Sequence, residues 1–543
     1  LPISRAVVAS ALLTAACAGA PPARPTGVTA SPAPRLVVLL VIDQWPEWAF
    51  EQKRPALTGG FDRLLREGSW QVGHHPSAAT ITACGHALLG TGQPPARSGI
   101  LANEWWHRDL DRSLKSVEDE RGAPSARWLR VASLGDAVAA AHTGGKAVSV
   151  SLKDRAAILP LGHAGTPLWL DHHAGRWRST QPVAWLDAWN AAHPLSAVSH
   201  TVWTPLPDTP ARAGVPDDAP GEGGGKGMGP TFPHDLGATK DPADAVFATP
   251  IGNDLVLDTA GEAIDREQLG ADDHPDLLVI SLSAHDLVGH FWGQESWESW
   301  DTFVRLDRRL GAFLDELDRK VGAGRWAMIA TSDHGGAPMP ESLHGGRLAY
   351  DQIKEAANRA AIAELGPGEW IAAARYPTVY LSRAALAQKP RDLAIATTKI
   401  LYALRSFPGL ARVERAAELW GHCETRTGDD AAICLALDPE RSGDIVFLPA
   451  PGWVMQDGDE RATTGHGSLH AYDREVPVVS LPIGRAAHPA LARPDGAPIA
   501  METIADRLAS WLGVTVHEFG HYMLGRTDGE TDVKIGQAPV PVA

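Results

Sequence analysis

Three short, almost entirely apolar runs stand out along the chain, at 36–42, 277–282 and 326–330. Runs of this length are typical of parallel strands that are buried on both faces. Asp43 follows the first run directly, Asp286 lies shortly after the second, and Asp333-His334 lies shortly after the third. The pattern therefore predicts metal-ligating types of side chain at the carboxyl ends of buried strands, where open α/β sheets bind their ligands.

Helical patterns lie between the apolar runs. Residues 300–321 and 390–405 have apolar positions at helical spacing, and a fourth apolar run follows at 476–481. This alternation predicts an α/β fold, with a doubly wound, mostly parallel central sheet, helices on both faces and inserted cap segments. No internal repeat occurs at a solenoid or propeller period.

Residues 1–20 have the pattern of an export signal. Arg5 gives a basic start, residues 6–16 form an apolar core, and Ala-Gly-Ala at 18–20 offers a small-residue cleavage site. The apolar core is shorter than the roughly 20 residues that span a bilayer, and no later run is long enough. Leu-Thr-Ala-Ala-Cys, ending at Cys17, is also similar to a bacterial lipoprotein signal. We expect an exported protein, either periplasmic or lipid-anchored to the bacterial envelope, with no transmembrane span.

Composition divides the rest of the chain into three parts. Residues 21–34 are rich in Pro and Ala and predict a linker. Residues 35–515 form the main domain, within which a Gly/Pro-rich segment near 205–242 predicts a surface insertion without a core of its own. Residues 516–543 are interpreted as a C-terminal extension.

The charge pattern bears on partners. The formal net charge is -16, and acidic and basic residues are interspersed. This argues against nucleic acid or an anionic membrane as the main partner. Phosphate binding is still compatible with this charge if metals and a few cations make the site locally positive.

Two of the four cysteines are predicted to form a disulfide. Cys423 and Cys434 flank a short polar loop, and an exported protein would let them oxidise. A zinc ribbon would need more ligands at close spacing than His422 provides. Cys84 is left unpaired.

Asp43 and the Asp333-His334-Gly-Gly sequence are the first candidate ligands. A carboxylate at the mouth of a buried strand must be paired, hydrogen-bonded or bound to metal. Adjacent Asp and His can serve one metal if the chain turns sharply, and the glycines allow backbone to approach a ligand closely. A helix cap at Asp43 and a capped turn at Asp333 are the alternatives.

Asp286 and His290 are four residues apart, so that a helix places both on one face, as two ligands of one metal require. A modest surface pair is the alternative. His285 and His274 are rejected because they do not share that face. His466 lies between glycines just before the 476–481 run, and by spacing alone His470 is nearly as good a candidate.

Thr82 lies in Thr82-Ala-Cys-Gly-His-Ala, ahead of an apolar stretch. A hydroxyl at a helix N-terminus beside a metal loses its proton more readily and becomes a nucleophile. An N-cap threonine is the alternative.

These elements together resemble the alkaline phosphatase superfamily, and within it the phosphate-irrepressible alkaline phosphatases that use a threonine nucleophile and share the fold of type I phosphodiesterases and nucleotide pyrophosphatases. The resemblance covers nearly everything from Val37 to Leu512. Thr82-Ala-Cys-Gly-His-Ala matches the family's nucleophile element, with Cys84 where proline is frequent. Gly465-His-Gly-Ser468 matches its Thr-His-Gly-Ser element, which favours His466 over His470.

The resemblance implies two zinc ions. One would be held by Asp43, Thr82, Asp333 and His334, and the other by Asp286, His290 and His466. It also implies hydrolysis through a phospho-threonine intermediate on Thr82.

Three further residues are implied to bind the transferring phosphate. Asn103 matches the family's Gly-Asn-Asp-Trp element, and Ser-Leu-Lys153-Asp-Arg155 matches the element with its paired Lys and Arg. A monoester presents extra charged oxygens, which a point charge and a planar fork can bind. A solvated charge run is the alternative for Lys153 and Arg155. We therefore expect an alkaline phosphatase acting on small phosphate monoesters, as a monomer.

Other activities fit less well. His517-Glu-Phe-Gly-His521 satisfies the zinc-protease pattern, but Leu524 and Thr527 occupy the positions of the Gly and the third His of a metzincin. Cys84 lacks the Cys-x-Pro-x-Arg setting of a sulfatase. The main alternative is a phosphodiesterase or nucleotide pyrophosphatase on the same scaffold, against which Lys153 and Arg155 argue. The remote alternative is a noncatalytic zinc-binding surface protein.

Overall fold

The computed structural model describes residues 33–456, 462–483 and 496–516. The predicted export signal with Cys17, most of the predicted linker, and the His517–His521 motif lie outside the described residues.

The central sheet consists of nine strands in the described part of the chain. In spatial order they are Ile499–Ala500, Ser69–His74, Glu475–Leu481, Trp326–Thr331, Leu36–Ile42, Asp276–Leu282, Ala147–Ser151, Thr166–Asp171 and Arg176–Arg178. Glu475–Leu481 and Arg176–Arg178 pair antiparallel to their neighbours, and the other pairings are parallel. The predicted mostly parallel sheet is confirmed.

The central strand shows why continuous apolar runs form this sheet. All seven residues of Leu36–Ile42 are buried. Because side chains alternate along a strand, Leu36, Val38, Leu40 and Ile42 join one apolar core, while the alternate residues of the strand join another on the opposite face. Both faces of the sheet are thus covered, as the doubly wound prediction requires.

Helices supply the two covering layers. The longer helices that pack in the first core are Gly60–Glu67, Pro250–Glu267, Ala284–Trp292 and Trp297–Leu317. Those that pack in the second are Thr82–Thr91, Leu134–Ala140 and Thr503–Leu512. The remaining short helices in this part of the chain are Glu47–Lys53, Pro95–Ser98, Asp154–Ile158, Leu186–Ala192, Pro242–Ala245 and Ala471–Arg474.

A cap with its own apolar core lies between Trp326–Thr331 and Glu475–Leu481 in the sequence. Its antiparallel sheet has the order Ile371–Arg375, Thr378–Leu381, Ile445–Pro449 and Leu410–Arg415. Helices Tyr350–Leu365, Arg383–Leu386, Pro390–Arg405 and Gly428–Leu435 accompany it. Three strand pairs complete the described strands: Glu104–His107 with Arg112–Lys115, Gly346–Ala349 with Trp453–Gln456, and Val202–Trp203 with His234–Asp235.

The Gly/Pro-rich segment near 205–242 packs on the main domain. It contains helix Thr209–Ala213, and its buried Met228 and Leu236 join the first core of the sheet. The segment remains a predicted insertion within the main domain.

The disulfide between Cys423 and Cys434 is present, as predicted, and Cys84 is a buried free thiol. Among the described residues, no helix is both long enough and apolar enough to cross a membrane.

Candidate active site

Three neighbouring parallel strands bring the first candidate metal ligands together. Asp43 directly follows Leu36–Ile42, and Asp286 and His290 lie on Ala284–Trp292, the helix after Asp276–Leu282. Asp333 and His334 follow Trp326–Thr331. Because these strands are adjacent and parallel, their carboxyl ends meet at one edge of the sheet. Each of these candidate ligands therefore owes its position to the strand that precedes it in the sequence.

Thr82 is the first residue of helix Thr82–Thr91, and Ile81 occupies the cap position. Its buried hydroxyl makes no capping hydrogen bond, and Oγ1 lies 3.4 Å from Nε2 of His334. The helix approaches the ligands closely because of Gly85, where a Cβ atom would stand 2.0 Å from the carbonyl oxygen of Asp333. The hydroxyl thus faces the ligand cluster rather than the helix terminus.

The three histidines share one orientation. Nδ1–H of His290 donates to the carbonyl oxygen of Thr464 at 3.1 Å, that of His334 to Gly335 at 2.9 Å, and that of His466 to Thr80 at 2.7 Å. Such bonds fix the tautomer and leave Nε2 unprotonated for a metal.

Two groups of ligand atoms lie within metal-binding distance of one another: Asp286, His290 and His466 in one, and Asp43, Asp286 and His334 in the other. Nε2 of His290 and of His466 are 3.2 and 3.6 Å from Oδ1 of Asp286. Nε2 of His334 is 3.5 Å from Oδ1 of Asp43 and 3.4 Å from Oδ2 of Asp333. The first group has the composition predicted for the second zinc. Asp286 belongs to both groups, which the sequence did not indicate.

These residues fit metal ions. Oδ1 of Asp43 and Oδ2 of Asp333 are buried and accept no hydrogen bond. Buried carboxylate oxygens without a partner are costly unless a cation compensates them. Burial, together with the charges of Asp286 and Asp333, raises the pKa of Asp43 well above its usual value. Imidazole nitrogens and carboxylate oxygens are ligands that zinc accepts.

Lys153 supplies one positive charge to this cluster. Its buried Nζ donates to Oδ2 of Asp43 and to Oδ2 of Asp286, both at 2.6 Å. Burial opposes the charge, but Asp286 and Asp43 outweigh it and raise the pKa of Lys153. The structure thus places Lys153 on the carboxylates that the predicted zinc ligands include.

Asn103 and Arg155 flank the cluster. Oδ1 of Asn103 accepts from the backbone N–H of Ala83 at 3.0 Å, which fixes Asn103 beside Thr82. Arg155 lies in helix Asp154–Ile158, and its Nη1 is 4.0 Å from Oδ1 of Asp154. Its buried Nε has no hydrogen-bond partner.

Sequence reasoning missed two residues that support the ligands. Nε2 of Gln44 donates to Oδ1 of Asp286 at 2.9 Å. Nδ1 of His86 donates to the backbone oxygen of Thr82 at 2.9 Å and lies 3.1 Å from Oδ2 of Asp333 without a hydrogen bond to it. The available signals were the position of Gln44 directly after Asp43 and the spacing of four between Thr82 and His86, which puts His86 on the same helix face.

The rejected histidines lie elsewhere. Nδ1 of His285 is 3.2 Å from the backbone oxygen of Asp43, and Nε2 of His470 is 3.3 Å from that of Pro449. Neither belongs to the two ligand groups.

Comparison with known proteins places this site in a family. The profile of the type I phosphodiesterase / nucleotide pyrophosphatase family matches residues 37–473. The chain belongs to this family, and it is an enzyme of the hydrolase class.

Its curated relatives include alkaline phosphatases. The chain is 31% identical over 479 residues to alkaline phosphatase PafA of Elizabethkingia meningoseptica, covering 83% of this chain and 87% of that protein. It is 32% identical over 485 residues to alkaline phosphatase PhoK of Sphingomonas sp., covering 83% of this chain and 84% of that protein. The crystal structure of PafA has a TM-score of 0.79 at 28% identity, covering 90% of this chain and 97% of PafA.

A second crystal structure of PafA carries substitutions at a threonine, an asparagine, a lysine and an arginine. The threonine and the asparagine are separated there by as many positions as Thr82 and Asn103 are here, and the lysine and the arginine by as many as Lys153 and Arg155.

Proposed function

We propose that the protein is an exported two-zinc phosphomonoesterase that hydrolyses small phosphate monoesters through a phospho-threonine intermediate on Thr82. The observation that carries the proposal is the buried Thr82 hydroxyl, 3.4 Å from Nε2 of His334 at the edge of two ligand groups. The alkaline phosphatase relatives and the matching spacings of the substituted PafA residues support the same assignment.

The zinc ligands are assigned as the resemblance implies: Asp43, Thr82, Asp333 and His334 for one ion, and Asp286, His290 and His466 for the other. When bound, the two ions would supply Lewis-acid stabilisation of the attacking and leaving oxygens. Asp286 is assigned to one ion, but because it belongs to both groups its carboxylate would also balance charge at the other.

Thr82 performs the first displacement. Its deprotonated Oγ1 forms a bond to phosphorus as the bond from phosphorus to the ester oxygen breaks, and the departing oxygen takes up a proton. A water molecule then attacks phosphorus from the same side as the departed group and gives up one proton to solvent. The bond to Oγ1 breaks, Oγ1 leaves as the alkoxide that begins the next cycle, and inorganic phosphate leaves. The N-terminal end of helix Thr82–Thr91 favours the negative charge on Oγ1.

Asn103, Lys153 and Arg155 bind the oxygens of the transferring group. Lys153 donates to Asp43 and Asp286, which belong to the proposed zinc ligand sets. Zinc bound to these carboxylates would leave the Lys153 ammonium free to bind phosphate. A monoester offers a charged oxygen to this cation, whereas a diester presents an alkyl group there. The residues therefore favour monoesters over the phosphodiester substrates that the family name includes.

The test is an assay of the purified protein on a monoester, a diester and a sulfate ester, with metal content measured in the same sample. We expect two zinc ions per chain and a preference for the monoester. Lys153→Ala should lower monoester hydrolysis more than diester hydrolysis, by an amount corresponding to about 2 to 4 kcal/mol in the transition state. A zinc-loaded protein that prefers diesters, or an unchanged monoester-to-diester ratio in Lys153→Ala, would contradict the assignment.

A further inference from the structure

A large cavity lies outside the candidate active site. Its volume is about 1070 Å³, and segments 105–110, 120–130 and 438–441 contribute its lining. None of the lining residues is a candidate metal ligand or a candidate phosphate-binding residue. The volume reaches the upper end of small-molecule pockets, about 1,000 Å³, and leaves room for a ligand with more than one ring. We call it the Trp106 cavity.

Aromatic side chains form part of the wall of the Trp106 cavity. Ring centroids lie 5.1 Å apart for Trp105 and His107, and 4.3 Å apart for His107 and Trp128. Burial lowers the pKa of His107 to about 4, so this wall is uncharged near neutral pH. Trp106 is partly exposed, and its ring contacts no other aromatic ring and no cation among the described residues. It therefore offers an indole face that packs well against a flat apolar surface, such as the C–H face of a sugar ring.

Four arginines and four carboxylates also line the cavity. Nη2 of Arg127 lies 3.2 Å from Oε1 of Glu120, and Nη2 of Arg130 donates to Oε2 of Glu440 at 2.7 Å. Pairs of this kind present donors and acceptors side by side with little net charge. A hydroxyl group both donates and accepts, so it can satisfy both members of such a pair. The wall therefore favours a ligand with many hydroxyl groups over a purely apolar one.

Arg441 gives the cavity one cation without a carboxylate partner. The other three lining arginines each pair with a carboxylate, whereas Arg441 pairs with none among the described residues. Its Nη1 donates to the backbone oxygens of Gly99 at 2.7 Å and Trp128 at 2.6 Å. Burial, together with the charge of Arg130, lowers the pKa of Arg441 to about 10. A ligand carboxylate beside Arg441 would compensate this charge and accept charge-assisted hydrogen bonds.

Contacts within the protein hold the loop at 438–441 in place. Arg130 pairs with Asp438, and the backbone N–H groups of Glu440 and Arg441 both donate to Oδ1 of Asp438 at 2.9 Å. The hydrogen bonds of Arg441 to Gly99 and Trp128 connect this loop to the opposite wall. A ligand therefore binds with little ordering of the loop, which lowers the entropic cost of binding.

We propose that the Trp106 cavity binds an acidic oligosaccharide, such as a short chain of uronic acid residues. One sugar ring packs against Trp106, its hydroxyl groups meet the paired arginines and carboxylates, and a ligand carboxylate binds Arg441. The site does not depend on the proposed phosphatase function, because none of its residues takes part in that chemistry.

The test is calorimetric titration of the purified full chain with three probes. Trigalacturonate has three sugar rings and three carboxylates, maltotriose has three sugar rings without charge, and tricarballylate has three carboxylates without a ring. We expect trigalacturonate to bind about tenfold more tightly than either of the others, because only it engages both the indole and the guanidinium. Excess inorganic phosphate, which would occupy the candidate active site, should not compete with it.

Two substitutions separate the contributions of the ring and the charge. Trp106→Ala should weaken trigalacturonate and maltotriose alike, by about tenfold, and Trp106→Phe should retain most of the affinity. Arg441→Gln should weaken trigalacturonate about tenfold and change maltotriose less than about twofold. Arg359→Gln is the matched control, because Arg359 is exposed on helix Tyr350–Leu365, and it should leave all affinities unchanged. The Tm of each variant shows whether it is folded.

Several outcomes would overturn the proposal. Absence of trigalacturonate binding to the wild-type protein at about 10 mM would refute the site without any variant. Equal affinity for maltotriose would refute the role of charge, and equal affinity for tricarballylate would refute the role of the sugar. Competition by phosphate, or unchanged trigalacturonate binding in folded Trp106→Ala and Arg441→Gln, would show that the ligand binds elsewhere.

Discussion

Thr82 is the residue on which the proposed chemistry depends most directly. Its replacement by alanine removes the proposed nucleophile, and we expect it to leave the helix and the other proposed ligand side chains in place. We expect Thr82→Ala to lower monoester hydrolysis by roughly three orders of magnitude or more. Thr398→Ala, at an exposed position on helix Pro390–Arg405, is the control and should be fully active. Substantial activity in zinc-loaded Thr82→Ala would exclude the phospho-threonine route.

Asp286 differs from the other ligands because it belongs to both groups. Its replacement by the neutral, isosteric asparagine should weaken both of the proposed zinc sites. We expect Asp286→Asn to lose more than one zinc per chain, and His290→Ala to lose about one at most. Asp258→Asn, at an exposed carboxylate on Pro250–Glu267, is the control. Equal zinc content of Asp286→Asn and His290→Ala, measured by elemental analysis, would show that Asp286 serves a single ion.

At the residue scale, the sequence predicted which side chains lie together but not their detailed contacts. Asp43, Asp333 and His334 could be found because they follow a strand, and Asp286 and His290 because they lie at helical spacing. Thr82 and His466 were implied by the family resemblance. Neither the double use of Asp286 nor the contact of Lys153 with Asp43 and Asp286 is visible in the sequence. Both depend on distances between three separate strand ends, which are set only by the packing of the sheet.

At the element scale, the hydrophobic pattern predicted the bounds of several strands and helices. Leu36–Ile42 is the strand predicted at 36–42, and Pro390–Arg405 is the helix predicted at 390–405. The helix predicted at 300–321 spans Trp297–Leu317, because Ser296 caps it: its Oγ accepts from the N–H of Ser299. The antiparallel sheet of the cap was not predicted. Its outer strands Ile371–Arg375 and Leu410–Arg415 have mixed burial. Ile445–Pro449 is apolar and fully buried, but it is short and pairs with segments that are distant in the sequence.

One contact within the Gly/Pro-rich insertion is sensitive to pH. Glu222 of the insertion and Glu298 of helix Trp297–Leu317 are both buried, with Asp217 close by. Burial raises the pKa of Glu222 to about 9 and that of Glu298 to about 8. His234, 2.8 Å from Glu298, adds no charge near neutrality, because burial lowers its pKa to about 4.

The direction of the effect follows from these raised values. The folded state holds these protons at a pH where the unfolded chain has released them, so the stabilising contribution is complete below about pH 4.5 and is lost as pH rises through 8 to 9. Glu222→Gln should therefore reduce the fall in Tm between pH 7 and pH 9.5, by about 1 to 3 °C. Glu424→Gln, at an exposed position, is the control. The same fall in the wild type and Glu222→Gln would refute this role.

At the scale of the whole molecule, the sequence predicted the fold class because the sheet is buried on both faces. Such strands are nearly all apolar and are easily recognised, and the layers that cover them follow from the alternation with helices. The resemblance to alkaline phosphatases then supplied the partition of ligands between two sites, which neither spacing nor burial pattern contains.

Metal binding and the stability of the molecule should be coupled. The ligands follow three adjacent strands at the centre of the sheet, so ions that bind there favour the folded state of the main domain over the unfolded chain. Each site contributes about 2.7 kcal/mol when free zinc is a hundredfold above its Kd. Removal of zinc by a chelator should lower the calorimetric Tm by roughly 3 to 6 °C, and added zinc should restore it. An unchanged Tm in zinc-free protein would contradict the coupling.

Helix Ala284–Trp292 carries Asp286 and His290 and also Leu287 and Phe291, which line a cavity of about 280 Å³ beside the candidate metal ligands. Tyr350 of the cap lines the same cavity. A change of substrate preference made on this helix therefore risks displacing a metal ligand. The cap offers a separate route, because Tyr350 packs against its independent core. Directed evolution of this phosphatase scaffold should accordingly gather its selectivity mutations in the cap, while the nine residues of the helix remain resistant to exchange.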